Sequence, residues 1–178
     1  MFDAILSFWF GELSPAQWWK VDPALDAALR ERFASLHQAA HLGELWEWRR
    51  QPRGRLAELI VLDQFPRNMY RGTPRAFASD AMALALAQEA VAGAYDAALT
   101  PVERAFMYMP YQHSESRLVQ KESVRLFKAL GLAEQIDFAL QHKAIVDRFG
   151  RFPHRNAILG RQSTAEELEF LKQPGSSF

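Results

Sequence analysis

The sequence predicts an all-α protein. Apolar residues recur at helical spacing in most segments, and no segment shows sustained alternation with a period of two. Glycines, prolines and capping pairs divide the chain into about nine short helical units. Short loops favour antiparallel helix hairpins, either bundled or layered as a solenoid, and the sequence lacks the repeat of about 34 residues that is typical of tetratricopeptide proteins. We expect residues 1–178 to form one helical domain.

The helices of the first half are bounded by caps, glycines and prolines. Serine or aspartate followed by proline is typical of a helix start, and glycine is typical of a helix end. These signals predict helical segments over residues 2–10, 24–41, 44–51 and 56–64. The segment over residues 56–64 is apolar on nearly every side, so we expect it to be central. Pro66 is expected to end it, because the residue before proline disfavours the helical region.

The second half is divided by the same signals. A helix through Met82 and Val91 is expected to end near Gly93, and the capping box from Thr100 to Glu103 starts the next helix, which Pro110 is expected to end. Further helices are predicted over residues 118–130, 133–149 and 163–172, the last opened by a capping box from Ser163 to Glu166.

Composition excludes several classes of protein. Positive and negative side chains balance at 21 each, which argues against nucleic-acid or membrane-surface binding through bulk charge. The chain has no cysteine, so disulfides, thiolate metal sites and a cysteine nucleophile are excluded. No segment reaches the roughly 20 apolar residues of a membrane span, and the apolar N-terminus lacks the basic start of a signal peptide. We therefore expect a cytoplasmic, soluble protein.

One acidic residue contradicts its surroundings. Leu56, Leu59, Ile60 and Asp63 fall at i, i+3, i+4 and i+7, which places a carboxylate on an apolar stripe. A desolvated carboxylate needs a cation or several donors. Its expected partner is an arginine, either the local Arg67 or one of the distant Arg148, Arg151 and Arg155. With Gln64, Arg67 and Asn68, Asp63 forms either a ligand-binding cluster or a structural ion pair at a helix end.

Two further polar clusters follow. In Tyr111–Ser116, helix capping by Ser114 or Ser116, with Glu115 in the first turn, explains most residues but not His113. A histidine beside a helix start can bind an anion or move a proton, or it can be an ordinary surface residue.

Residues 148–161 hold five basic side chains and no acid. The five are Arg148, Arg151, His154, Arg155 and Arg161. Such a run can hold a phosphate or carboxylate, or it can supply partners for buried acids. His142 shares a helix face with Ile145 and Val146, so we expect it to be a hydrogen-bonded core residue.

No pattern for a metal or a nucleotide is found. His113, Glu115, His142, Asp147 and His154 lack a recognised ligand spacing, so no metal site is expected. The sequence contains no glycine-rich phosphate loop, nucleophile elbow or dinucleotide fingerprint. We expect no cofactor.

The chain resembles DUF924, a bacterial family grouped with tetratricopeptide-like helical folds. The resemblance is carried by LIVLDQFPRNMYRGTPRAFASD, MPYQHSESRLVQKESVRLF, HKAIVDRFGRFPHRNAILGR and the ending EELEFLKQPGSSF, and it covers nearly the whole length. It implies the fold, but the family supplies no catalytic residues to carry over. It also implies that the PGSSF tail is ordered.

Three functional hypotheses remain open. The first is a binding protein whose internal pocket holds a small anionic ligand or an acidic peptide end. Its ligand-binding residues would be Asp63, Gln64, Arg67, Asn68, His113, Arg151, His154 and Arg155. The second is a hydrolase or lyase that uses His113 or His154 as acid or base, with Asp63 orienting it. The third is an interaction scaffold for a protein partner, anchored by Trp18, Trp19, Trp46 and Trp48.

Overall fold

The computed structural model describes residues 2–177, which form eight helices and contain no β-strand. The helices are α1 (Phe2–Ser7, continued by a π-helical turn, Phe8–Glu12), α2 (Pro23–His41), α3 (Pro52–Leu59, a π-helical turn Ile60–Gln64, then Phe65–Met69), α4 (Asp80–Ala92), α5 (Pro101–Gln112), α6 (Arg117–Leu130), α7 (Ala133–Phe149) and α8 (Ala165–Phe170). The all-α prediction is confirmed, while the solenoid arrangement stays a prediction.

Helix α3 lies at the centre of the main core. Every residue from 56 to 66 is buried, and the helix packs against α1, α2, α4 and α5. Helix α5 in turn packs against α4, α6 and α7, so it links the core to the second half of the chain. The central position of α3 is the one predicted for residues 56–64, which are apolar on nearly every side of the helix.

The expected end of this helix at Pro66 is wrong. Proline has no N–H to donate to the carbonyl four residues earlier. In this helix, however, a π-helical turn lies just before the proline, and the N–H of Phe65 bonds to the carbonyl of Ile60, five residues back. The helix then continues to Met69. The expected end at Pro110 is also wrong, because that proline lies inside α5.

Several boundaries agree with the capping signals. The capping box of Thr100 and Glu103 is present, and α7 spans the predicted residues 133–149. Gly150, which follows α7, has the left-handed conformation that favours glycine, with φ of 72°. The capping box of α8 is one residue later than predicted, because Thr164 and Glu167 form it.

The tail and the tryptophans occupy different environments. Ser176 is buried, and its hydroxyl donates to the carbonyl of Leu171 at 3.2 Å, so the tail is held on α8; Phe178 lies outside the described residues. Trp48 is buried and Trp18 is half-buried, whereas Trp19 and Trp46 are exposed. None of the helices within residues 2–177 has the length and apolar character needed to cross a membrane.

Candidate functional site

Asp63 lies in the π-helical turn of α3, where its carboxylate is almost fully buried. Its Oδ1 lies 2.8 Å from Nδ1 of His113, the residue that follows the last turn of α5. Its Oδ2 accepts a hydrogen bond from Nε2 of Gln64. This contact joins α3 to the end of α5 through two residues that are 50 positions apart in sequence.

The arginine partner of Asp63 is the local one. Arg67 lies one turn further along α3, with its Nη1 3.4 Å from Oδ1 of Asp63 and 2.6 Å from the Asp63 carbonyl oxygen. Within residues 2–177, none of Arg148, Arg151 and Arg155 forms an ion pair with Asp63. His113 makes the shorter contact with the Asp63 carboxylate, and this is the pairing that the hydrolase or lyase hypothesis requires.

Asp80, at the start of α4, connects the two arginine-containing stretches. Arg67 donates two hydrogen bonds to its carboxylate, at 2.9 and 3.0 Å. Arg155, from the 3₁₀ turn Pro153–Arg155, donates a longer one at 3.4 Å. The segments around Arg67 and Arg155 therefore face each other across Asp80 rather than across Asp63.

The protonation states of the cluster follow from burial and from these contacts. Burial alone would raise the pKa of Asp63, but the charge of Arg67, together with the contact from His113 and the hydrogen bond from Gln64, outweighs it and lowers the pKa to about 2. Burial, assisted by the charge of Arg67, lowers the pKa of His113 despite the contact with Asp63. At neutral pH, Asp63 is therefore ionised and the His113 imidazole is neutral.

A cavity of about 430 Å³ lies beside this cluster. Six of the eight residues proposed as ligand-binding line it, namely Gln64, Arg67, Asn68, His113, His154 and Arg155. Asp63 is not part of the lining; it lies behind His113 and contacts it. The remaining walls are largely apolar and aromatic, a composition typical of small-molecule sites.

Arg151 lies away from this cavity. It donates two hydrogen bonds to the buried carboxylate of Glu167, at 2.7 and 2.9 Å, and so holds the start of α8. Arg161 similarly donates two to Glu115, at 2.6 and 2.8 Å. Glu115 precedes the N-cap Ser116, so its expected place in the first turn is wrong. The basic run thus both serves structural acids and contributes to the cavity.

Other lining residues were missed from the sequence. Trp18, Trp19 and Lys20 line the cavity from the segment between α1 and α2. His142, which lines it too, donates from Nδ1 to the carbonyl of Phe138 at 2.8 Å, as expected of a hydrogen-bonded core histidine. Asp80, which is not a lining residue, was not predicted from the sequence either. The arginines near residue 70 indicated that acidic partners were needed, but an acid in the first turn of a helix is too common to be singled out.

No group of three or more histidines, aspartates or glutamates suited to a metal ion is found in residues 2–177. The cluster itself consists of an ionised Asp63, a neutral His113 and two arginines.

Fold and site together define an all-helical protein with a buried aspartate–histidine–arginine cluster beside a cavity. The chain belongs to DUF924, a family of bacterial proteins of unknown function, whose sequence model matches residues 5–175.

A solved structure of a protein of unknown function from Agrobacterium tumefaciens has the same fold. The two chains are 38% identical, with a TM-score of 0.92 over 96% of each chain. A search of curated proteins gave no significant match.

Proposed function

We propose that the cavity binds a small anionic ligand, or the acidic end of a peptide, through Arg155. The observation that carries this proposal is a buried guanidinium at the cavity with too few acceptors. Only 8% of the Arg155 side chain is exposed, its one hydrogen bond is the 3.4 Å contact with Asp80, and its Nε has no acceptor among the described residues. A buried cation with unmet donors favours an anion.

Comparison of the two arginines supports Arg155 as the recognition group. Arg67 has the bidentate bond to Asp80 and the contact with Asp63, and these carboxylates raise its pKa although burial opposes them. Burial and the neighbouring Arg67 charge instead lower the pKa of Arg155 to about 10. Arg155 is still charged at neutral pH, but it is poorly compensated. A carboxylate or phosphate would supply the missing acceptors.

The Arg155 guanidinium is also held in place. It lies 4.7 Å from the ring centroid of Phe77 and 4.6 Å from that of Phe152. Two aromatic contacts restrict the orientation of the planar guanidinium. A donor group that is ordered before binding loses little conformational entropy when an anion arrives.

The Arg155→Met variant tests this proposal. Methionine fits between the two phenylalanine rings but offers no charge and no donor, so we expect anion affinity to fall about ten- to hundredfold, as about 1.5–3 kcal/mol per charged hydrogen bond implies. Titration calorimetry with inorganic phosphate and acetate measures it, and thermal shifts should follow the same order.

Arg148→Met is the matched control, because Arg148 forms an exposed ion pair with Glu166 outside the cavity. It should bind as wild type does. The proposal fails if wild type binds no anion saturably, or if folded Arg155→Met binds as well as wild type.

A second candidate function is acid–base catalysis, as in a hydrolase or lyase, by His113. The contact of 2.8 Å between Nδ1 and the ionised Asp63 favours it. A carboxylate accepts only, so Nδ1 carries the proton and Nε2 is left with a lone pair. His113 lines the cavity, where a neutral and oriented imidazole is suited to remove a proton from a substrate or a water molecule. His113 is favoured over His154 because Asp63 orients it.

We expect nitrogen-15 NMR at neutral pH to show His113 as the neutral tautomer protonated at Nδ1, because Asp63 accepts that proton. The Asp63→Asn variant should weaken this preference. Finding an imidazolium, or the tautomer protonated at Nε2, would exclude His113 as the base proposed here.

A further inference from the structure

We infer that the ligand of this cavity is an anion that carries a flat aromatic group, which stacks on Trp19 while the charge lies at Arg155. This inference rests on the proposed anion site and specifies its ligand. It comes from the residues at the mouth and along the walls of the cavity, which the anion proposal does not use.

Trp19 is a rigid aromatic surface at the cavity. Its ring stacks in parallel on Phe106, with centroids 5.9 Å apart and planes 5° apart, and it meets Trp18 edge to face at 6.3 Å. Even so, 55% of Trp19 remains exposed. In this offset stack Phe106 packs against part of one face of the ring, and we assign the opposite face to a planar partner.

The segment around Trp19 is itself anchored. The indole N–H of Trp18 donates to the Trp9 carbonyl at 2.8 Å, and the Trp18 ring lies 4.9 Å from that of Phe106. The stacking surface is therefore fixed before a ligand binds. A rigid aromatic ring contributes contact area with little loss of side-chain entropy.

The walls of the cavity favour an apolar ligand body. Phe77, Met109, Phe138 and Ile158 contribute apolar surface to its lining. The volume of about 430 Å³ lies within the range of sites that enclose drug-sized molecules, so acetate or phosphate alone would leave most of the apolar wall uncovered. An aromatic acid covers both parts of the lining.

The charge at the mouth agrees with an acidic ligand. Lys20 lines the cavity beside Trp19 and forms no ion pair with the residues that the structure describes. The acids that contact lining residues, Asp26, Asp63 and Asp80, are already paired with Arg71, Arg67 and His113. A cationic aromatic ligand would therefore find no unpaired carboxylate, whereas an anionic one finds Arg155 and Lys20.

The test compares aromatic and simple anions by titration calorimetry. The probes are benzoate, phenylacetate and indole-3-acetate against acetate, with benzylamine as the cationic control. In wild type we expect the best aromatic acid to bind at least about tenfold more tightly than acetate, because aromatic stacking adds to the burial of apolar surface. Benzylamine should not bind.

Two tryptophan variants test whether Trp19 is responsible for the higher affinity for aromatic acids. Trp19→Ala should remove most of the difference between aromatic acid and acetate while leaving acetate affinity unchanged. Trp46→Ala is the matched control, since Trp46 is equally exposed at 54% but lies outside the cavity lining. It should behave like wild type.

Each other outcome overturns a defined part of the proposal. Equal affinity for acetate and all three aromatic acids refutes the aromatic ligand but leaves the anion site intact. A gain that survives in Trp19→Ala refutes the stacking role of Trp19. If no anion binds at all, the proposed function fails and this inference fails with it.

Discussion

Lowering the pH from about 7 to about 5 is expected to lower the free energy of unfolding by about 5–6 kcal/mol. Three histidines, the buried His37 and His142 and the half-buried His154, are neutral in the folded protein, and their pKa values are far below the ordinary 6.5. The unfolded chain takes up protons at these positions over a pH range in which the folded chain does not. Acid therefore favours unfolding.

The shift of His37 arises in the core rather than at the cavity. Burial, with smaller contributions from the charges of His41 and Arg75, lowers its pKa to about 4. Its ring packs on that of Tyr70 with centroids 5.4 Å apart, and its Nε2 lies 3.4 Å from the hydroxyl oxygen of Ser79. A proton on this ring would be poorly solvated, so protonation requires the site to open.

The other two histidines line the cavity. Burial, followed by repulsion from His113, lowers the pKa of His142 to about 3. Burial, followed by repulsion from Arg155, lowers the pKa of His154 to about 4. Because Arg155 is one of the causes, a bound anion that offsets its charge should raise the pKa of His154.

The direction in which stability changes with pH follows from comparing the pKa values of the folded and unfolded chains. All three folded values lie below 6.5, so each contribution is fully present above about pH 6.5 and is lost as the pH falls toward the folded pKa. Each imidazole changes the free energy of unfolding by up to about 1.4 kcal/mol per pH unit, so three together approach about 4 kcal/mol per unit. Summed from pH 7 to pH 5, the three contributions amount to about 5–6 kcal/mol, which is about a third or more of a typical total of about 5–15 kcal/mol.

Urea unfolding at pH 7.5, 6 and 5 measures this effect. The His37→Gln variant should show about one third less pH dependence, because one of the three groups is removed. Protonation of Asp63 does not contribute to this pH dependence. Its pKa is lowered to about 2 in the folded protein, so the stability that its ionised form provides is lost only below about pH 4. If the free energy of unfolding were the same at pH 7.5 and pH 5, these three histidines would not be held neutral by the folded protein.

Replacing Asp63 with alanine is expected to cost about 3–5 kcal/mol of stability at neutral pH. The substitution removes a carboxylate with a 2% exposed side chain, and it leaves the donors of Arg67, His113 and Gln64 without this acceptor. The cost is dominated by the unpaired groups that remain, because desolvated donors lose their hydrogen bonds while staying buried. Chemical unfolding at pH 7 measures it.

Two variants separate charge from hydrogen bonding. Asp63→Asn keeps an acceptor oxygen of similar shape, so it should cost less than alanine but more than a surface change. Glu166→Ala is the control, because the ion pair of Glu166 with Arg148 is exposed and should change stability by less than about 0.5 kcal/mol. If Asp63→Ala loses less than about 1 kcal/mol, the buried network does not stabilise the fold as described.

Local signals predicted much of the helical framework but not its continuity. The capping box of Thr100 and Glu103 and the limits of α7 follow from sequence alone, because capping depends on neighbouring residues. The passage of α3 through Pro66 does not. It depends on the π-helical turn, which packs against α2, α4 and α5, and such tertiary contacts cannot be predicted from neighbouring residues.

The sequence predicted which residues form the site better than it predicted which of them contact one another. Asp63 stood out because its charge contradicts an apolar stripe, and His113 stood out because capping did not explain it. That these two meet is a tertiary fact about α3 and α5, and sequence spacing carries no signal for it. Arg151 shows the reverse, since a basic run looks the same whether its members bind a ligand or, like Arg151, a buried glutamate.

A crystal structure of the protein with a saturating aromatic acid, indole-3-acetate or the tightest of the series, tests the central claim most directly. We expect the carboxylate within hydrogen-bond distance of the Arg155 guanidinium and the ring stacked on Trp19. A ligand found elsewhere on the surface, or a cavity without ligand at saturating concentration, would contradict it.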